Sequence, residues 1–232
     1  MASIICGSLA FDTIMNFEGR FGEQILPDQL HILNVSFLVP ALRRDFGGCA
    51  GNIAYALNQL GGSPLPMATV GMDGGTYLDR LKSQGIATEF VRTMEDSYTA
   101  QAMIITDRDN NQINGFHPGA MDFAHLTTIC ARSDIKLGII APDGRDAMLQ
   151  HADQFAAAKI PFVFDPGQQL PRFDGEELRA FIGQATWVTV NDYEGKMLSD
   201  RTGWSSAEIS KQVDGLVVTL GAEGCEVWVD GE

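Results

Sequence analysis

The chain has 232 residues, with 16 Lys and Arg against 30 Asp and Glu, a net charge of −14 before histidine. Hydrophobic residues make up 45% and charged residues 20%, a globular composition with room for one large domain, or one domain with an appendage. The acidic balance excludes a duplex-binding surface, which concentrates Lys and Arg against phosphates.

The start, MASIICGSLAFD, has no positive leader and only a short apolar run. No uncharged apolar stretch approaches the roughly 18–20 residues of a membrane span. Cys6, Cys49, Cys130 and Cys225 are scattered and form no C-x-x-C pair, which reads as reduced thiols in the cytoplasm.

In chain order, Ile4–Leu9 is a short buried strand closed by Ala10, Phe11 and Asp12. Residues 13–46 alternate irregularly, with an edge strand expected over Ile32–Val39. From Cys49 the period becomes helical: Ala50, Ile53, Ala54 and Leu57 follow an i, i+3, i+4, i+7 pattern, and Gly61-Gly62 stops the helix. Met67–Val70 reads as a strand and Tyr77–Ser83 as a helix. Thr99–Thr106 and Gln112–Phe116 flank DRDNN as a hairpin. Strands at Leu137–Ala141, Pro161–Phe164 and Trp187–Val190 then alternate with helices at Arg145–Ala158, Glu176–Gly183 and Asp192–Leu198. Leu216–Thr219 and Glu226–Val229 are strands joined by GAEG. The fold class is α/β: a Rossmann-like, mostly parallel sheet with helices on both faces. A small β lid, about 14–40 and 99–116, interrupts the rhythm.

In such sheets ligands bind beyond the carboxyl ends of the strands. No P-loop pattern and no strand-linked G-x-G-x-x-G occurs. Gly47-Gly48 leads into the first strong helix, and glycines there let backbone amides approach a bound hydroxyl. Asn52 falls in that helix's first turn, away from Ala50 on the core face. Asp12 can accept hydrogen bonds from a diol, or serve as a turn residue. Asn191 and Glu194 form a capping-box pattern, and Glu194 is also able to orient the water shell of Mg²⁺. Thr219 and Gly221 either bind phosphate oxygens or form a plain hairpin turn. His117, alone near a turn, reads as structural rather than catalytic.

The order of GSLAFD at 7–12, GGCAGNIAYALNQLGG at 47–62, NDYE at 191–194 and VTLGAEG at 218–224 resembles the ribokinase-like (phosphofructokinase B) carbohydrate kinase family. Within it, NNQINGFHPGAM at 110–121 and DPGQQLP at 165–171 look like the adenosine kinase branch. The resemblance implies a Rossmann-like sheet with a β lid and ATP-dependent phosphorylation of a sugar hydroxyl, most simply adenosine plus ATP giving AMP plus ADP. It implies that Asp12, Gly47, Gly48 and Asn52 hold the sugar hydroxyls; Phe116, at the end of a lid strand, either stacks on a purine or packs in the lid core. Asn191 and Glu194 would serve the phosphates and Mg²⁺, and Thr219, Gly221 and Gly224 the nucleotide. The partner is a small nucleoside or sugar, with neither nucleic acid nor membrane, and the lid strands offer a route to a homodimer.

The family's second motif, D-T-x-G-A-G-D, carries an anion hole and the general base. It is expected beyond Glu232, so residues 1–232 alone are expected to bind ligand weakly and turn over poorly. Two alternatives stay open: a ribokinase- or fructokinase-type sugar kinase, and a non-catalytic nucleoside- or sugar-binding protein of the same fold.

Overall fold

The computed structural model describes residues 2–129 and 132–232. The strands are β1 (Ala2–Cys6), β2 (Ala10–Asn16), β3 (Ala41–Gly47), β4 (Ser63–Gly71), β5 (Val91–Met94), β6 (Ala100–Thr106), β7 (Gln112–His117), β8 (Ile135–Ile140), β9 (Phe162–Phe164), β10 (Trp187–Asn191), β11 (Gly215–Thr219) and β12 (Cys225–Trp228). The helices are α1 (Phe21–Gln24), α2 (Cys49–Gln59), α3 (Gly75–Ser83), α4 (Arg145–Ala158), α5 (Gly175–Gln184), α6 (Asp192–Thr202) and α7 (Ser206–Ser210).

Eight strands form one sheet in the order β12-β11-β10-β9-β8-β1-β4-β5, parallel except for β12 at the edge. Alternate residues of β1 feed opposite faces, as a sheet covered on both sides requires. Ile4 and Cys6 join the larger core, where Phe164 stacks on Phe181 at 4.3 Å between ring centroids. Ile5 joins a second core with Phe11, Ala50, Ala54, Tyr77 and Leu81, under α2 and α3. The chain leaves β1 toward β4 on one side and returns through β8 on the other. The β1/β8 boundary is therefore the topological switch point, where such sheets open a crevice.

The remaining strands build a separate four-stranded sheet, β3-β2-β6-β7. The expected 99–116 hairpin is present as β6 and β7, antiparallel with Ala102 opposite Phe116. The 14–40 boundaries are corrected: the strands lie at either end of that segment, not within it. No strand forms over Ile32–Val39, because β3 pairs residue for residue with β2 from Ala41↔Asn16 to Gly47↔Ala10. β2 ends at Asn16, so residues 32–39 have nothing to pair with. The first strand is corrected too. It stops at Cys6, because the Ser8 amide turns to the Pro142 carbonyl and the Ser8 carbonyl to the Ala50 amide, and Asp12 lies inside a second strand rather than at a strand end.

β5 and the single turn α7, a capping box on Ser205 and Glu208, were too short to read from periodicity. Cys6, Cys49 and Cys225 are free thiols, and Cys130 lies outside the described residues. Among the described residues, no helix is long and apolar enough to cross a membrane.

Candidate active site

The loop after β1 organises the crevice. Ser8 donates its amide to the Pro142 carbonyl (3.1 Å), and its own carbonyl accepts the Ala50 amide (3.0 Å). The Ser8 hydroxyl oxygen accepts the Cys49 amide at 3.2 Å. One loop thus ties the end of β8 to the N-terminus of α2. Gly48 caps that helix at φ +89°, a left-handed conformation.

A cavity of about 560 Å³ opens here between the two sheets, within the size range of small-molecule sites. Asp12, Gly48, Asn52 and Phe116 all line it, so four of the five expected substrate residues meet in one place. The fifth, Gly47, acts from behind. A side chain there would overlap the Asp12 carboxylate, so its absence makes the space Asp12 occupies. The Gly47 carbonyl accepts the buried Tyr77 hydroxyl at 2.6 Å, and Tyr77 packs on Phe11 and Phe46. Tyr77→Phe is expected to lower stability by about 1 kcal/mol in urea unfolding, the usual cost of one buried hydrogen bond.

Asp12 stands directly opposite Asp45 on β3 and Ala102 on β6. Burial first, and then the Asp45 charge, hold its carboxyl above the ordinary range. Opposed like charges weaken a sheet, and Asp45 is compensated by Arg43 at 2.7 Å. His117 faces the other side of the small sheet, beside Thr13, Arg44 and Tyr98, and takes no part in the cavity.

Two buried carboxyls lie at neighbouring strand ends. Asp143, after β8, is 1% exposed; its Oδ1 accepts the Gly144 amide at 2.8 Å and its Oδ2 has no protein partner. Burial pushes it up to about 8. Asp165, after β9, is pushed up to about 6 by burial and by the nearby Glu194 charge. Burial, and then the Asp165 charge with smaller help from Asp143 and Glu194, pushes the Cys49 thiol up to about 11.

The second group of expected residues sits two strands along. Asn191 and Glu194 do form the capping box of α6, with the Glu194 amide donating to Asn191 Oδ1 at 2.7 Å and the Asn191 amide to Glu194 Oε2 at 2.9 Å. Thr219 pairs in register with Asn191. Beyond it, Gly221 (φ +59°) and Gly224 (φ +103°) take left-handed turns. None of these lines the cavity, and Asp165 is the electrostatic bridge to them. No group of three or more His, Cys, Asp or Glu suited to a metal occurs among the described residues.

Sequence reasoning missed Ser8, Gln168, Gln169 and Arg172, which also line the cavity. Gly167 (φ +46°) turns the chain so closely against Pro142 that a Cβ would lie 2.5 Å from its Cγ. This turn brings both glutamines to the wall. The glycine in DPGQQLP was visible; its partner Pro142, 25 residues earlier, was not.

The sheet order, the crevice and the small covering sheet define a ribokinase-like α/β kinase fold. A solved nucleoside kinase from Burkholderia thailandensis, in complex with inosine, superposes with a TM-score of 0.86 at 53% identity, covering 98% of this chain and 73% of that one. The Methanocaldococcus jannaschii nucleoside kinase superposes with a TM-score of 0.88 at 28% identity, covering 100% of this chain and 75% of that chain. By sequence, a nucleoside kinase of the same organism is 30% identical over 232 residues, 98% of this chain and 72% of that protein. The pfkB family of carbohydrate kinases matches residues 23–232. The chain belongs to this family, whose relatives here are nucleoside kinases and a ribokinase.

Proposed function

We propose that the protein is a nucleoside kinase that transfers the terminal phosphoryl group of ATP to a ribose hydroxyl, with adenosine as acceptor and AMP and ADP as products. The observation that carries this reading is the cavity at the switch point, with the Asp12 carboxylate and the half-exposed Phe116 ring on the small sheet and Asn52 on α2. Asp12 and Asn52 supply acceptors and a donor for sugar hydroxyls, and Gly48, with no side chain, leaves room for the sugar beside them. Phe116 offers a stacking face for a base, worth about 1–3 kcal/mol. A relative at 53% identity that binds inosine supports a purine nucleoside.

ATP would lie along the ends of β10 and β11, against Asn191, Thr219, Gly221 and Gly224. Asp165 is raised by burial first and then by the Glu194 charge, and a cation would relieve the repulsion within this pair of carboxylates. That donor set fits Mg²⁺, which takes few carboxylates and keeps its waters. When bound, Mg²⁺ neutralises charge on the phosphate oxygens. The small sheet acts as the lid, excluding water from the transferred group. Asp143 is buried and does not line the cavity, so it is not placed to act as general base on a bound hydroxyl. That role is assigned to the family's glycine-rich second motif, which residues 1–232 do not contain.

Calorimetric titration with adenosine, inosine, ribose and fructose tests the reading. Adenosine is expected to bind; a protein that binds ribose or fructose and neither nucleoside is a sugar kinase instead. Asp12→Ala is expected to weaken adenosine binding by about 1–2 kcal/mol, the cost of unpaired hydroxyl contacts. Unchanged affinity would remove Asp12 from the site.

A further inference from the structure

Outside the cavity, one carboxylate touches both sheets. Asp73 lies in the turn between β4 and α3, on the large sheet's side. Its Oδ2 accepts Arg44 Nη2 at 2.7 Å, and Arg44 is in the middle of β3. Its Oδ1 accepts the Thr99 amide at 2.8 Å, immediately before β6. The buried Thr99 hydroxyl closes the junction by accepting the Gly71 amide, the last residue of β4, at 3.0 Å. Arg44 also lies over the Phe11 ring, 3.7 Å from its centroid, and Phe11 precedes Asp12 on β2. A single side chain therefore holds β3 and β6 directly and β2 through the guanidinium, on the face of the small sheet away from the cavity.

The hydrogen bonds, led by the two Thr99 groups and Arg44, hold the Asp73 carboxyl below its ordinary range against the opposing effect of burial. The carboxylate is therefore charged across neutral pH. No other described acid is within salt-bridge distance of Arg44. The strands it anchors carry Asp12 and, through the β6–β7 ladder, Phe116.

We propose that Asp73 is a positioning residue for the nucleoside site: a latch between the two sheets that sets the angle of the small sheet and, with it, the separation of Asp12 and Phe116 from the α2 side of the cavity. The proposal rests on the nucleoside-kinase reading. The latch does not touch substrate, and it leaves the ends of β10 and β11 alone. Its signature is a loss of nucleoside affinity without a loss of nucleotide affinity.

The test uses the full chain with Asp73→Asn, which keeps an acceptor for the Thr99 amide and removes the charge facing Arg44, and with Arg44→Met, which removes the pair from the other side. Each is expected to raise the Kd for adenosine about tenfold while the Kd for a non-hydrolysable ATP analogue stays within about twofold, and the double variant should be no worse than either single one. Unchanged adenosine affinity in either single variant would overturn the latch. So would parallel losses for adenosine and the ATP analogue, which mark general destabilisation, or additive losses in the double variant. If the parent binds ribose and not adenosine, the nucleoside reading fails by itself, and the same variants then test the latch on ribose.

Discussion

Gly48→Ala is expected to lower stability by about 3 kcal/mol or more and to remove nucleoside binding, the larger of two effects that local geometry dictates here. The backbone at φ +89°, ψ +144° lies in a region open almost only to glycine and already costs an L-residue about 1–3 kcal/mol. The added Cβ would also lie 2.5 Å from the Ser8 carbonyl oxygen, 2.7 Å from the Ala10 amide nitrogen and 2.9 Å from the Leu9 Cα. All three are backbone atoms of the segment linking β1 to β2, so no side chain can swing away. Relief has to come from moving α2 off the loop after β1. That breaks the Ser8–Cys49 and Ser8–Ala50 hydrogen bonds and the cavity wall they hold. Gly61→Ala is the control: its φ is +80°, but a Cβ there meets nothing within 4 Å. It should cost only the backbone part, about 1–2 kcal/mol. Denaturant unfolding compares the two, and equal losses would refute the steric argument.

The second large effect is a fall in stability with rising pH that Asp143→Asn abolishes. Asp143 titrates near 8 when folded, against an ordinary 3.8. Between those values the folded state holds a proton that the unfolded state has released. The unfolded state thus binds fewer protons, and stability drops by up to about 1.4 kcal/mol per pH unit. Asp165, near 6 when folded, adds the same sign below that pH. His151, buried and lowered to about 4 from 6.5, has the opposite sign between those values, because there its unfolded form binds the extra proton. From pH 6.5 to 8 Asp143 acts with little interference, and the parent is expected to lose about 1–2 kcal/mol there. Urea unfolding at pH 6.5, 7.2 and 8 measures it. An equal slope in Asp143→Asn would mean that another group carries the effect.

Much of the site was legible because it is written in local chemistry. Gly47 and Gly48 are read from the need for backbone space, and Asn52 from its angle on a helix whose core face is Ala50 and Ala54. Asn191 and Glu194 follow from the three-residue spacing of a capping box. The hairpin at 100–117 was equally visible, since its turn and both strands are contiguous. Asp12 was expected at the site and does line the cavity, but it was assigned to the wrong backbone setting, because the break at Gly7 and Ser8 depends on contacts with Pro142 and Ala50. Asp73 carried no signal at all: its partners, Arg44 on β3 and Thr99 just before β6, lie 29 and 26 residues away.

By itself, then, the sequence determined the alternation of strands and helices, the glycine turns and caps, and the family resemblance. These depend on steric and hydrogen-bonding preferences acting within a few residues. The tertiary structure decided which distant strands share the small sheet, and that Asp12 and Phe116 face one cavity with Gln168 and Arg172. It also decided that burial raises Asp143 and Asp165. Strand partnership and burial are set by which chain segments close on one another, and that closure is a property of the packed whole.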